Sequence, residues 1–164
     1  MNVVQRMPCV ILFLDFDGVL NHHAHFAALP PERSCSEVEY DDRSFDHTCV
    51  ERVNAIVRRT GCGVVVSSSW RLQPKYATPP RLTRLLRRHG FASRIVDVTP
   101  DHPRGCRGDE IQAWLNRHPG VVAFAILDDD ADMGALDHRL VKTTFAAGLM
   151  DEHVDRVVVM LGAG

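Results

Sequence analysis

Two carboxylates, Asp15 and Asp17, stand one residue apart directly after the apolar residues 11–14. Carboxylate and carbonyl oxygens are the ligands that Mg²⁺ prefers in proteins. Beside such a metal, one carboxylate can attack phosphorus while the other acts as an acid/base that protonates the leaving oxygen. Gly18 lets the chain turn sharply after the strand. The alternative interpretation is a β-turn that carries two solvated aspartates.

Three serines follow a second apolar run, at residues 64–66. The hydroxyl of Ser67 and the next backbone amide can hold the oxygen of a transferring phosphoryl group. Ser68 takes this role if the strand extends by one residue. The alternative is a serine-rich turn that caps a helix.

Arg107 stands at the start of a predicted helix, in the stretch "RGDEIQAWL". A cation at this end gains nothing from the helix macrodipole. Arg107 therefore fits better as a clamp for a phosphate and for clustered carboxylates, with Arg104 as the alternative for that role. Asp109 and Glu110 match the dipole, so we assign them no part in the chemistry.

A run of three aspartates, Asp128, Asp129 and Asp130, follows the most apolar predicted strand. Adjacent carboxylates repel one another unless a cation lies among them. An acidic surface loop is the alternative, but the position directly after a buried strand weakens it. These aspartates are therefore candidates for the same metal site as the first pair.

Strands and helices alternate along the chain in a way that predicts where these side chains meet. Apolar runs that suit buried strands occur at residues 9–14, 63–66, 95–98, 121–127 and 140–144. Helical patterns lie at residues 46–60, 80–90, 109–120 and 151–161. This alternation predicts a parallel sheet that is covered on both faces. Ligands bind beyond the carboxyl ends of such strands, so Asp15, Ser67 and Asp128 should share one edge, beside an irregular flap at residues 21–46.

The composition is that of a globular protein rather than a nucleic-acid coat. The chain has 164 residues, 45% of them hydrophobic and 24% charged, which suits one domain with a sizeable core. Its formal net charge of −2 argues against a polycation. Nearly all the cationic residues are arginines, with Lys75 and Lys142 as the lysines. Arginine is the better planar, bidentate partner for phosphate, and genome composition is the alternative explanation for the bias.

The cysteines and the apolar runs predict the compartment. The five cysteines form no C-x-x-C pair, which indicates reduced thiols rather than a disulfide framework. No apolar run approaches the ~20 residues that a membrane-spanning helix needs. The N-terminal stretch does not resemble a secretory signal. We therefore expect a cytoplasmic location without a membrane partner.

The ordered set "DFDGVLN", "SSSWR", "RGDEIQAWL" and "LDDD" resembles the four-part pattern of the haloacid dehalogenase (HAD) superfamily, across essentially the whole chain. The resemblance implies an α/β fold with a Rossmann-like parallel sheet and helices on both faces. It also implies a single domain over residues 1–164, with the flap at 21–46 as a minimal cap. The implied activity is that of a Mg²⁺-dependent phosphatase, and the presence of Asp17 favours this branch over dehalogenases and phosphonatases.

The resemblance also implies a role for each matching residue. Asp15 would be the nucleophile that forms an aspartyl-phosphate, and Asp17 the general acid/base that gives its backbone carbonyl to the metal. The remaining implied site residues are Ser67, or Ser68, and Arg107 for the phosphoryl group, and Asp128 and Asp129 for Mg²⁺. Two departures stand out: the superfamily more often has lysine at position 107, and the third aspartate leaves the metal ligand ambiguous, with Asp129 favoured.

Together with a late "GLM", these motifs are similar to those of small HAD phosphatases associated with bacterial RNA repair. That similarity implies a phosphorylated nucleic-acid end as the substrate, and kinase or ligase partners. A small-molecule phosphatase such as a 5′-nucleotidase, and a non-catalytic binding module, remain alternatives. The sequence leaves little room for a large lid, and an open site admits a large substrate.

Three features outside the motifs have two interpretations each. Arg81, Arg84 and Arg88 share one helical stripe with Arg87 beside it, and they either follow a phosphate backbone or form an ordinary solvated face. Trp70 either stacks on a base or belongs to the core. The third feature is a group of histidines and cysteines, which either hold zinc at a non-standard spacing or line the flap: His22, His23, His25, Cys35, His47 and Cys49.

Overall fold

The structure, a computed structural model, describes residues 9–30, 41, 43–102 and 105–162. Its strands are β1 (Val10–Leu14), β2 (Gly63–Val66), β3 (Ile95–Val98), β4 (Ala123–Asp128) and β5 (Leu140–Lys142). The helices formed by the described residues are α1 (His23–Ala28), α2 (His47–Thr60), α3 (Pro79–Arg87), α4 (Arg107–Asn116) and α5 (Asp151–Met160). Short 3₁₀ segments span Ser69–Leu72, Pro74–Tyr76 and Gly134–Arg139.

The strands form one parallel sheet in the order β3-β2-β1-β4-β5. The central strand β1 pairs with β2 and β4, so that Leu14 lies opposite both Val66 and Leu127. The strands are short, apolar and rich in β-branched residues, as parallel strands buried on both faces must be. The predicted α/β fold with a parallel sheet is confirmed.

Helices cover both faces of the sheet, as predicted. Along β1, Leu12 and Leu14 face the larger apolar cluster, whereas Ile11 and Phe13 face the smaller one. This alternation follows from the two-residue period of a strand. Helices α2, α3 and α5 pack on the larger cluster, and α4 with the 3₁₀ segment Gly134–Arg139 packs on the other.

The boundaries of three strands differ slightly from those predicted. β1 begins at Val10 rather than at residue 9. β4 begins at Ala123 rather than at residue 121, because Val121 closes a turn onto the carbonyl of His118 and Val122 is 77% exposed. β5 ends at Lys142, although the next amide, that of Thr143, still donates to the carbonyl of Asp128.

The flap segment contains regular structure that the sequence pattern did not predict. Residues 23–28 form the helix α1, which has only six residues and is therefore too short for an amphipathic period to show. The His22 ring begins the helix, since its Nδ1 accepts a hydrogen bond from the backbone N–H of His25 at 3.3 Å. Part of the predicted flap, residues 31–40 and 42, lies outside the described residues.

Two further expectations concern membranes and thiols. None of the helices formed by the described residues combines the length and the apolar character that a bilayer crossing requires. The four described cysteines are free thiols, namely Cys9, Cys49, Cys62 and Cys106. Cys35 lies outside the described residues.

Candidate active site

Asp15 lies at the carboxyl edge of the sheet, directly after β1. Its backbone N–H donates to the carbonyl of Leu127 at 3.0 Å, so the residue continues the ladder towards β4. The residue is 5% exposed, and burial raises the pKa of Asp15 to about 6, against an opposing effect of Arg107. A carboxylate in such a place needs a nearby cation to remain ionised.

Arg107 supplies a positive charge between two of the predicted site aspartates. Its guanidinium lies 3.7 Å from Asp15 Oδ1 and 3.4 Å from Asp128 Oδ2. The residue is the first of α4, as predicted, and its backbone N–H donates to a carboxylate oxygen of Asp132 at 3.0 Å. Asp132 thus binds a backbone N–H in the first turn of the helix that carries Arg107. Arg104, the alternative clamp, lies outside the described residues.

Asp128 and Asp129 form a cluster with Asp15 that is suited to a divalent cation. One oxygen of each carboxylate lies within 4.8 Å of the others. Asp128 Oδ1 accepts a hydrogen bond from the backbone N–H of Asp130, whereas Oδ2 is buried and accepts no hydrogen bond from the described residues. Burial and the charge of Asp15 raise the pKa of Asp128 to about 7. A set of three oxygen donors with an unsatisfied lone pair fits Mg²⁺.

Among the three consecutive aspartates, Asp130 is not part of this cluster. Its side chain is exposed and accepts a hydrogen bond from the backbone N–H of Ala131 at 2.7 Å. Asp129, which the sequence favoured as metal ligand, and Asp128 both lie beside Asp15. The geometry therefore supports Asp128 and Asp129 over Asp130 as ligands.

Gly18 makes room for Asp129. The glycine has a φ of +71°, and a Cβ at this position would lie 2.3 Å from Asp129 Cγ. A side chain at residue 18 would therefore push Asp129 away, in addition to straining the backbone. The turn glycine predicted from the sequence also lets the two acidic segments approach each other.

The three serines at residues 67–69, which we call the serine loop, lie beside Asp15. The two candidate serines among them have different surroundings. The backbone N–H of Ser67 donates to the carbonyl of Leu14 at 3.0 Å, which places this residue beside Asp15. The Ser67 hydroxyl is fully buried and has no hydrogen-bond partner among the described residues. A hydrogen bond from the Ser68 side chain lowers the pKa of Asp15, against the larger effect of burial. Both serines thus remain candidates for phosphoryl binding, and Ser68 is in contact with Asp15.

Asp17 is held by two donors that the sequence did not identify. Asn21 Nδ2 donates to Asp17 Oδ1 at 2.7 Å, and Trp70 Nε1 donates to Oδ2 at 3.0 Å. Trp70 is 7% exposed and packs against Phe45. This burial supports the core interpretation of Trp70 rather than a surface for stacking bases, and it adds a contact with the predicted acid/base.

Arg71 holds the serine loop in place through hydrogen bonds to its backbone carbonyls. The sequence motifs did not indicate this role. The buried guanidinium donates to the carbonyls of Ser67 and Ser68 at 2.6 and 2.9 Å. It also donates to the carbonyl of Thr99, and pairs with Glu110 of α4 at 2.8 Å. Glu110 therefore does more than complement the helix dipole. Its ion pair with Arg71 connects α4, the helix of Arg107, to the serine loop.

The histidines of the flap have partners that explain their positions. His22 Nε2 lies 2.8 Å from Asp46 Oδ2, and since Nδ1 accepts from a backbone N–H, Nε2 is the donor. His25 bonds the carbonyl of Arg43, and His23 packs edge-on against Phe145. These contacts support the interpretation that the histidines line the flap rather than hold zinc.

Another possible metal cluster is formed by His22, Asp46 and Cys49, whose ligand atoms lie within 4.8 Å of one another. Two of these residues belong to the zinc set considered from the sequence. The His22–Asp46 hydrogen bond and the Cys49 thiol, which donates to the carbonyl of Leu149 at 3.6 Å, account for this proximity without a metal.

A parallel Rossmann-like sheet with clustered aspartates, a serine loop and a helix-borne cation at its carboxyl edge defines a domain of the HAD type. The family model for the HAD domain in Swiss Army Knife RNA repair proteins matches residues 11–154, and the chain belongs to this family. A comparison with curated proteins gave no match. Membership confirms the superfamily and the RNA-repair type predicted from the motifs, and it supports a phosphatase-like role.

Proposed function

We propose that the protein is a Mg²⁺-dependent phosphatase that acts through an aspartyl-phosphate on Asp15. Its proposed substrates are phosphorylated nucleic-acid ends, in particular those of RNA. The observation that carries the proposal is the position of Arg107 between Asp15 and Asp128, at 3.7 and 3.4 Å. A guanidinium there can bind the equatorial oxygens of a phosphoryl group as charge builds on them. The RNA-repair family supports the class of substrate.

In the proposed reaction, a carboxylate oxygen of Asp15 attacks phosphorus and the ester P–O bond breaks. Asp17 gives its proton to the leaving oxygen, which departs as the hydroxyl of the nucleic-acid end. Asp17 then takes a proton from a water molecule as that water attacks the aspartyl-phosphate. Inorganic phosphate leaves and Asp15 returns to its carboxylate form.

The phosphoryl group would be held by the residues around Asp15. Ser68 lies against the nucleophile, and the buried Ser67 hydroxyl has an unused hydrogen bond to offer. Mg²⁺, held by Asp15, Asp128, Asp129 and the backbone carbonyl of Asp17, would supply charge neutralisation at the phosphoryl oxygens.

The test is phosphate release by the purified protein with Mg²⁺. The substrates are an aryl phosphate, mononucleotides, and RNA and DNA oligonucleotides that carry a 3′- or a 5′-phosphate. We expect RNA ends to be preferred and Asp15→Asn to abolish turnover. Asp130→Asn is the matched control, because it removes one carboxylate charge from the exposed neighbour outside the cluster, and it should retain most of the activity.

Each other outcome supports a different function. A clear preference for mononucleotides supports a small-molecule phosphatase of the 5′-nucleotidase kind. Metal binding without turnover of any phosphate ester supports a non-catalytic binding module. Turnover by Asp15→Asn would contradict the assignment of the nucleophile.

The proposed product also indicates which partners to seek. Removal of a terminal phosphate leaves a hydroxyl, and a kinase or a ligase acting on RNA ends would use or complement such an end. We therefore propose RNA-repair kinases or ligases as partners. Reconstituted repair of a broken RNA with and without the protein tests this idea.

A further inference from the structure

A cleft of about 260 Å³ lies beside helix α3, outside the cluster of site aspartates. Its charged and polar lining consists of Asp41, Lys75, Tyr76, Arg81, Arg84 and Arg88. We refer to this feature as the basic cleft. Its lining brings the predicted arginine stripe together with two neighbouring segments of the chain.

Helix α3 has two distinct faces. Leu82, Leu85 and Leu86 are buried against the sheet, whereas Arg81 and Arg84 are exposed. Both arginines contribute to a concave surface rather than to a convex solvated face. This geometry is more favourable for a bound ligand than an isolated charged helix face, because several side chains can contact one group.

The lining of the basic cleft also contains an acidic residue that is bound by two neighbouring side chains. Asp41 is buried and accepts hydrogen bonds from Lys75 Nζ, at 2.7 Å, and from the Tyr76 hydroxyl. Within the described lining, four cationic side chains accompany this single carboxylate. The described residues of the basic cleft therefore carry a net positive charge, which favours the binding of an anionic ligand.

A chain of contacts connects the basic cleft to the candidate active site. The Tyr76 ring lies 5.8 Å from the Trp70 ring, centroid to centroid, and the Trp70 indole donates to Asp17 at 3.0 Å. Since α3 connects the parallel strands β2 and β3, it begins near their carboxyl ends and runs back along the sheet. Arg81 therefore lies nearer the catalytic edge and Arg84 one turn further from it.

We propose that the basic cleft binds the sugar-phosphate backbone of an RNA strand whose phosphorylated end occupies the Asp15 site. This inference rests on the proposed function and adds to it the path of the strand. Guanidinium groups bind phosphate oxygens in a bidentate manner. Successive turns of α3 present Arg81 and Arg84 along a line that leads away from the catalytic edge. Such contacts hold a strand without reading its sequence.

The test measures binding and not turnover, so that it is independent of the catalytic proposal. A fluorescent single-stranded RNA with hydroxyl ends is titrated with the whole protein, and its anisotropy is followed at several salt concentrations. The variant Arg81→Gln/Arg84→Gln removes two charges from the basic cleft. The matched control, Arg117→Gln/Arg156→Gln, removes two charges from exposed positions outside the described lining.

We expect the cleft variant to bind RNA about tenfold more weakly. The slope of log K against log salt should fall by about 1.4, since each phosphate contact on a single strand contributes about 0.7. The control variant should bind like the wild type, and both variants should melt near the wild-type temperature. Equal binding by the cleft variant and the control, or no RNA binding by the wild type, would overturn the inference. RNA binding without phosphate release from any end would contradict the proposed function alone.

Discussion

Trp70 Nε1 donates a hydrogen bond to Asp17 Oδ2 at 3.0 Å, and so joins the serine loop to the proposed general acid. The indole is buried beside Phe45 and Tyr76, which fixes its orientation. Because Asn21 binds the other carboxylate oxygen at 2.7 Å, Asp17 is restrained at both oxygens. We infer that Trp70 is a positioning residue for proton transfer.

Trp70→Phe should slow turnover most for substrates with poor leaving groups. The variant keeps an aromatic ring but removes the donor, and a hydrogen bond to a charged group contributes about 1.5–3 kcal/mol. We expect kcat for an RNA end to fall at least about tenfold. p-Nitrophenyl phosphate should be affected much less, because its leaving group departs without a proton.

Trp114→Phe is the matched control for this change. Trp114 is also buried and also donates to a carboxylate, that of Asp97 at 2.7 Å, but it lies on the other face of the sheet. Its replacement should lower the melting temperature without a dependence on the leaving group. An equal loss of kcat for both substrates in Trp70→Phe would show that the residue acts through stability alone.

Arg71 and Glu110 should be strongly coupled. Replacement of the buried Arg71 by lysine keeps the charge but loses the planar set of donors that binds four loop carbonyls. We expect Arg71→Lys to lower the free energy of unfolding by about 2–4 kcal/mol, and Glu110→Gln to have a smaller effect. A double-mutant cycle by chemical denaturation measures the coupling. Additive losses would mean that the ion pair does not hold the loop on α4.

Much of the fold and of the candidate site could be predicted from the sequence, because buried parallel strands are continuous apolar runs. Their ends define one edge of the sheet, so Asp15, Ser67 and Asp128 were expected to meet there. Arg107 was identified since a cation is unusual at a helix start. Each of these signals is local in the sequence. They predict a shared site because ligands bind beyond the carboxyl ends of parallel strands.

The supporting contacts could not be predicted in this way. Trp70 lies 53 residues from Asp17 along the chain, and their contact depends on the conformation of a loop with no periodic pattern. Arg71 resembles any arginine near a helix start until its burial is known. Nothing in the sequence distinguishes Gly108 from a tolerated helix glycine, although the structure leaves no room for a Cβ at this position.

Gly108→Ala should destabilise the protein, although alanine usually favours a helix. A Cβ at this position of α4 would lie 2.1 Å from the carbonyl oxygen of Met133, a backbone atom that cannot rotate away. We expect a loss of about 1–3 kcal/mol in the free energy of unfolding, and weaker phosphate binding because Arg107 must shift. Gly120→Ala is the control, since a Cβ there meets nothing within 4 Å. A Gly108→Ala variant as stable as this control would contradict the close packing of α4.

The buried carboxylates should make the metal-free protein less stable as the pH rises. Burial raises the pKa of Asp15 from 3.8 to about 6, and that of Asp128 from 3.8 to about 7. The folded protein therefore holds these protons more tightly than the unfolded chain. The resulting stability is fully present below about pH 4 and is lost as the pH rises through 6 and 7. The loss is on the order of a few kcal/mol for the coupled pair.

Mg²⁺ should reverse this loss, and its effect should grow with pH. Metal ligands must be deprotonated, so protons compete with Mg²⁺ at pH 5 and compete little at pH 8. We expect excess Mg²⁺ to raise the melting temperature more at pH 8 than at pH 5, relative to protein in EDTA. Asp128→Asn removes one raised pKa and one proposed ligand, so it should flatten the pH dependence in EDTA and weaken the response to Mg²⁺. An equal Mg²⁺ effect at both pH values, in wild type and variant alike, would place the bound metal elsewhere than at Asp15 and Asp128.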